Sequence, residues 1–298
     1  MGQQIKADAC LILVTLIWGS TFVLVKRTVE GIPVFAFLCL RFLLASAVLI
    51  AMFGRRLLRL RARDILSGAL IGLALFAGYA LQTIGLQYTT ASKAGFITGL
   101  SVVIVPLIST VLLKTKVRST VLAGVALSTV GLGLLTVQHD LLPSYGDLIV
   151  LGCAVAFALH IVLVSIFAPT VDAMALTTVQ IATVALLSGL VSLSSGIWWQ
   201  QISSDAWMAA GFTGVFATAF AFGVQNAVQS HTTATHTALI FAAEPVFAAL
   251  SAYLLAGEVL AGWGVVGCGL ILMGMILAEI PVSAFVRKPS VKIGKESR

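Results

Sequence analysis

The sequence predicts an all-α polytopic membrane protein with ten transmembrane helices in two inverted five-helix repeats. Three observations lead there: charge is scarce, long apolar runs are joined by short links, and the chain repeats itself.

Hydrophobic residues make up 59% of the 298 positions, charged residues 10%, and the mean hydropathy is +1.08. A soluble domain carries about 25% charged residues. A chain this poor in charge cannot cover a surface facing water, so its first partner is a lipid bilayer. The net charge of +7 would suit nucleic acid if the basic residues formed one face. They fall instead in short links between apolar runs, which excludes a nucleic-acid partner.

A span needs about 20 mostly apolar residues. Ten runs qualify: 7–25, 34–53, 65–86, 94–113, 120–137, 147–167, 174–195, 206–228, 235–256 and 261–280. Lipid offers no hydrogen bonds to a backbone, so these runs are helices, which satisfy their own. The first run follows Lys6 and precedes Lys26 and Arg27 without a small-x-small cleavage site, and reads as a span rather than a signal peptide. Cys10, Cys39, Cys153 and Cys268 lie in separate runs, with no CxxC and no Cys/His ligand spacing. They read as small buried hydrophobes, with no disulfide framework and no metal site.

Loop charge sets the orientation. With the N-terminus cytoplasmic, the inner segments hold Lys6, the cluster Arg55, Arg56, Arg59, Arg61 and Arg63, the group Lys114, Lys116 and Arg118, and a basic tail. The outer links hold Lys26 and Arg27. The positive-inside rule then puts both termini in the cytoplasm. The arginine cluster and the tail serve topology and contact with anionic lipid.

Shifting the sequence by 143 lays the third-to-fifth spans on the eighth-to-tenth. Gln82 then meets Gln225, the run Thr89-Thr90-Ala91 meets Thr232-Thr233-Ala234, Gly124 meets Gly267, and Gly131 meets Gly274. The halves are residues 1–139 and 140–281, followed by the tail 282–298. Five spans is an odd number, so the second half enters the membrane from the opposite side. Inverted repeats of this kind typify secondary transporters, whose substrate site lies near the midplane between the halves. A channel or a membrane-embedded enzyme stays open at this point.

Four segments carry a family resemblance. LIWGSTFVLVK (Leu16 to Lys26), LCLRFLLA (Leu38 to Ala45), ASKAGFITGLSVVIVPL (Ala91 to Leu107) and AAEPVFAALSAYLLAGEVL (Ala242 to Leu260) resemble the EamA family of the drug/metabolite transporter superfamily. The last is the most specific, with Glu244-Pro245 followed by Gly257-Glu258. The resemblance covers nearly the whole chain. It implies ten spans, an inner-membrane location of bacterial type and export of metabolites, since amino-acid exporters of the YddG type are among the members. The first half departs from the pattern: Val102 stands opposite Pro245, with Pro106 one turn later, and Lys114-Thr115 stands opposite Gly257-Glu258.

Strongly polar residues inside spans are costly and mark sites by default. Glu244 is the one acid near the middle of a span, and Thr237, Glu244, Ser251 and Glu258 recur at a spacing of seven on one helical face. Its readings are contact with a substrate ammonium, proton binding, or a structural acid bonded to a neighbouring helix. Lys93 and His236 match in the repeat, as candidates for the two mouths of one path; a snorkelling lysine and a capping histidine are the alternatives. Gln82 and Gln225 match on the third and eighth spans, while Trp18, Tyr79 and Phe157 supply an aromatic wall. His160 sits mid-span on the sixth helix, for the cavity or for an interhelical bond. Arg41 reads as a clamp that holds the bundle together.

No phosphate loop, HExxH or Cys/His cluster is present, so no cofactor, metal or enzymatic chemistry is expected. The expectation is a secondary carrier exporting small metabolites, amino acids first. Its partner is a small-molecule substrate, and a monomer is compatible with the sequence. A multidrug exporter of lipophilic cations and a passive channel are the rivals. A cavity with few charges suits small, partly apolar zwitterions and disfavours polyanions, which would need several basic groups at depth.

Overall fold

The computed structural model describes residues 2–89, 91–114, 117–136, 144–194, 202–256 and 262–279. Thr90, Glu258 and the tail 282–298 lie outside the described residues, as does the side chain of Lys93. In chain order the helices are α1 (Gly2–Gly31), α2 (Val34–Leu57), α3 (Ala62–Leu86), α4 (Ala91–Gly99), α5 (Ser101–Leu112), α6 (Ser119–Thr136) and α7 (Tyr145–Phe167). They continue as α8 (Ala173–Ser194), α9 (Ser204–Gly214), a π-helical turn (Val215–Phe220), α10 (Ala221–Gln229), α11 (Ala234–Phe241), α12 (Glu244–Ala256) and α13 (Gly262–Glu279). Among the described residues, eight stretches are long and apolar enough to cross a membrane, and Ser119–Leu134 and Gly262–Leu277 are shorter apolar helices. Together they make the ten spans. The fourth is α4 with α5, the eighth is α9 through α10, and the ninth is α11 with α12.

Local chemistry sets the helix starts. Pro33, with no N–H to leave unpaired, precedes α2. Ser144 and Asp147 form a reciprocal capping box on α7: Asp147 N donates to Ser144 Oγ at 3.2 Å and Ser144 N to Asp147 Oδ2 at 2.8 Å. Thr233 Oγ1 accepts from His236 N at the start of α11. Within the spans, hydroxyls such as Thr15, Ser46 and Thr213 donate to the carbonyl four residues back, so they cost little in an apolar setting.

The packing follows the repeat. α6 runs along α13 and α2 along α8, pairs that map onto themselves when the halves exchange. α3 packs on α7 as α1 packs on α10, and α1 meets α11 and α12 as α7 meets α4 and α5. Small residues permit the close pairs. A Cβ on Gly131 would lie 2.6 Å from the Gly267 carbonyl, and one on its counterpart Gly274 would lie 2.6 Å from the Gly124 carbonyl. Outward-facing leucines such as Leu186 and Leu193 are exposed, as a lipid-facing surface requires.

Two spans are broken, and at the same register. Leu100 N donates to Ile97 O and Val103 N to Leu100 O; 143 residues later Ala243 N donates to Ile240 O and Val246 N to Ala243 O. Each is one turn of the tighter i→i−3 pattern between two half-helices. Pro245 removes a donor and accounts for the second break. The first occurs without a proline in register, so Val102 does not abolish it. The break also interrupts the expected polar face, because Thr237 and Glu244 sit on different half-helices. Lys114, after α5, has a φ of 51°, the left-handed region where the second half carries Gly257.

Candidate functional site

A cavity of about 60 Å³ lies between the two halves, where the broken spans meet. Its walls come from α1, α3, both broken spans, α7 and α10, with Arg41 of α2 added. Its volume matches a few water molecules, so a metabolite requires the walls to separate.

Seven of the expected residues line it: Trp18, Tyr79, Gln82, Phe157, His160, Gln225 and Glu244. The aromatic wall is continuous through Phe222. That ring meets Trp18 at 5.1 Å, His160 at 5.6 Å and Tyr79 at 6.2 Å between centroids, and Tyr79 meets Phe157 edge-on at 5.3 Å. Such pairs hold large flat groups with little freedom.

The polar groups are oriented by neighbouring helices. Trp18 Nε1 donates to the Ala217 carbonyl at 2.8 Å, inside the π-helical turn. A wider turn re-aims backbone carbonyls, and π segments often mark functional places. Gln82 Nε2 donates to Thr98 Oγ1 at 3.2 Å, and His160 Nε2 meets Gln180 Oε1 at 3.1 Å. Gln225 Nε2 donates to Gln229 Oε1, while Gln225 Oε1 is buried without a partner among the described residues. Glu244 opens α12 at the break, partly exposed to the cavity, and no described residue gives its carboxylate a hydrogen bond or ion pair.

One expected residue stands apart from this group. His236 lies away from the cavity; its Nε2 meets Asp8 Oδ1 at 2.9 Å, tying the start of α11 to the start of α1. The side chain of Lys93 is outside the described residues. Arg41, expected as a clamp, also lines the cavity, and other lining residues went unnoticed in the sequence: Thr21, Thr98, Ser101, Phe222 and Phe241. The repeat held the signal for four of them. Shifted by 143, Tyr79 gives Phe222, Thr98 gives Phe241, and Ser101 gives Glu244.

The space is not symmetric about the midplane. It reaches Val25 and Leu86, near the ends of α1 and α3 on the side away from the N-terminus. Gln229, the counterpart of Leu86, is instead locked by donating to Ile161 O at 2.6 Å and Ser165 Oγ at 2.8 Å. Below it, Leu11, Val14, Ala234 and Ala238 belong to one apolar cluster, and Asp8 meets His236 on the same side.

The family description "EamA-like transporter family" matches the chain twice, over residues 5–137 and 144–279. A protein of Archaeoglobus fulgidus named "Uncharacterized transporter" is 33% identical over 257 residues, covering 86% of this chain and 80% of its own. A second protein of that organism with the same name is 26% identical, covering 85% and 90%. The transporter YetK of Bacillus subtilis, also named uncharacterized, is 28% identical over 60% of this chain and 56% of its own. A solved crystal structure superposes with a TM-score of 0.76 at 23% identity, over 92% of this chain and 97% of that one, a likeness of fold. With two family matches on a ten-span helical fold, this chain belongs to the EamA-like transporter family and is a multi-pass membrane transporter.

Proposed function

We propose that this chain is a secondary carrier that exports small metabolites, amino acids first among them, by alternating access between its two inverted halves. It acts in an inner membrane of bacterial type with both termini in the cytoplasm. The observation that carries the reading is the central cavity, bounded by both broken spans and flanked on one side by the Gln229 and Asp8–His236 contacts. A site reached from one side at a time is what alternation between two states requires. The walls offer aromatic rings, two amides and hydroxyls, with the Arg41 guanidinium and the Glu244 carboxyl among them. That suits a compact, partly apolar molecule whose own charges sum to zero.

The aromatic wall with Glu244 also favours a second reading, efflux of lipophilic aromatic cations. Arg41 in the same wall opposes it by like-charge repulsion.

Purified protein in liposomes, assayed for counterflow across a panel of labelled amino acids with and without a pH gradient, tests the proposal. Saturable counterflow stimulated from the far side is expected. Efflux of charged aromatic dyes without amino-acid counterflow supports the second reading, and flux without stimulation from the far side indicates a pore.

A further inference from the structure

Arg41 brings to the cavity a charge that no described acid neutralises. Its side chain is 3% exposed, deep in the second span. Protein groups hold one edge of the guanidinium. Nε donates to Thr218 Oγ1 at 2.8 Å, and Nη2 donates to the Tyr79 hydroxyl at 3.2 Å and the Ala217 carbonyl at 3.4 Å. The rings of Tyr79 and Phe42 lie 4.7 Å and 5.5 Å from its centre. All of these partners are neutral. They fix the plane of the group and leave its charge in place. Nη1 makes no hydrogen bond to a described residue, and Arg41 lines the cavity.

Glu244 is the complementary case. It lines the same cavity and has no cationic partner among the described residues, Arg41 included, since the two do not form an ion pair. A guanidinium and a carboxyl therefore stand unpaired on one small space. Intramembrane charges are tolerated when something pairs them. A monocarboxylate would satisfy Arg41 and leave Glu244 alone, and an amine would do the reverse. A molecule bearing both groups satisfies both residues and adds no net charge to the membrane interior. The remaining Nη1 is a charge-assisted donor suited to a carboxylate oxygen.

We propose that Arg41 anchors the carboxylate of the substrate through its free Nη1 while Glu244 faces the ammonium, so that the carrier selects zwitterions carrying both groups. The assignment rests on the carrier reading above. It explains why Arg41 is gripped by neutral acceptors on one edge only. It also gives the π-helical turn a purpose, because Ala217 and Thr218 within that turn set the guanidinium plane.

The test is competition against counterflow of whichever labelled amino acid the panel returns; for leucine the competitors are leucine, leucinamide and 4-methylpentanoate. On the wild-type protein, the amide and the deaminated acid are each expected to compete at least tenfold more weakly than the amino acid. Arg41→Gln is expected to weaken the amino acid at least tenfold and to narrow its advantage over the amide. Glu244→Gln is expected to narrow its advantage over the deaminated acid. Should Arg41→Gln fail to fold, the wild-type selectivity decides alone: an amide that competes as well as the amino acid overturns the assignment. A folded Arg41→Gln protein with unchanged preference between amino acid and amide overturns it too. Absence of counterflow for every amino acid overturns the carrier reading itself, and this assignment with it.

Discussion

Ser101 and Glu244 occupy the same place in the two halves: each is the first residue of the second half-helix of a broken span, and each lines the central cavity. The position is polar in both repeats, but the second repeat alone makes it acidic. At this place a symmetric frame carries an acid in one half and a hydroxyl in the other.

Glu244→Gln keeps the shape and removes the acid. A carboxylate bonded to a neighbouring helix would cost several kcal/mol to disrupt, but the Glu244 carboxylate has no such partner among the described residues. The variant is expected to melt within about 3 °C of wild type, a change below about 1 kcal/mol. Its counterflow is expected to fall at least tenfold. A variant that melts far lower while retaining transport per folded molecule would return Glu244 to a structural role.

The approach of α1 to α12 depends on Gly19. A Cβ there would lie 2.7 Å from the Glu244 carbonyl oxygen and 2.7 Å from Phe247 Cβ. Gly19→Ala should destabilise by roughly 1–3 kcal/mol through overpacking. Gly95→Ala, where nothing lies within 4 Å, is the matched control and should be neutral or stabilising. Melting curves in one detergent compare the two directly.

The Asp8–His236 contact and the apolar cluster lie together on one side of the cavity. Asp8→Asn weakens the contact by roughly 1 kcal/mol, which corresponds to about fivefold in the population open on that side. Labelling of a cysteine placed at Ser101 by an impermeant thiol reagent, applied from the N-terminal side, is expected to accelerate accordingly. An unchanged rate would mean that the contact does not gate that side.

The loop charges predict that a reagent applied outside intact cells reaches a cysteine at Ser144 and fails to reach one at Ser290. The contact of Arg56 with Asp172 at 2.9 Å fits this orientation, because it joins two links that the topology assigns to one side. Labelling of Ser290 but not Ser144 from outside would invert the orientation.

Much of the architecture was legible because membrane helices announce themselves by length and apolarity, and because a repeat of 143 residues carries polar landmarks such as Gln82 and Gln225. Trp18, Tyr79, His160 and Glu244 stood out for the same reason, being conspicuous among leucines and valines. Phe222 and Phe241 did not, since a phenylalanine in a span looks like core until its repeat partner is known to line a cavity. The break at Leu100 has no proline in register and was hidden, whereas Pro245 marked its counterpart. The π-helical turn left no trace in Val215–Phe220, which contains no residue that demands it. Arg41 was read as a brace because a sequence cannot tell whether a buried cation has an acidic neighbour.

The central claim, a single site reached in turn from each side, is tested most directly at Ser101, which is small, cavity-lining and close to a cysteine in size. Ser101→Cys in sealed vesicles of known orientation is labelled by an impermeant thiol reagent from one side and then from the other, with the unsubstituted chain and its four native cysteines as background. The account predicts that the site is labelled from either side, that substrate at saturating concentration slows both reactions, and that the reagent itself does not cross. Labelling confined to one side with and without substrate would contradict it, as would free passage of the reagent through the protein.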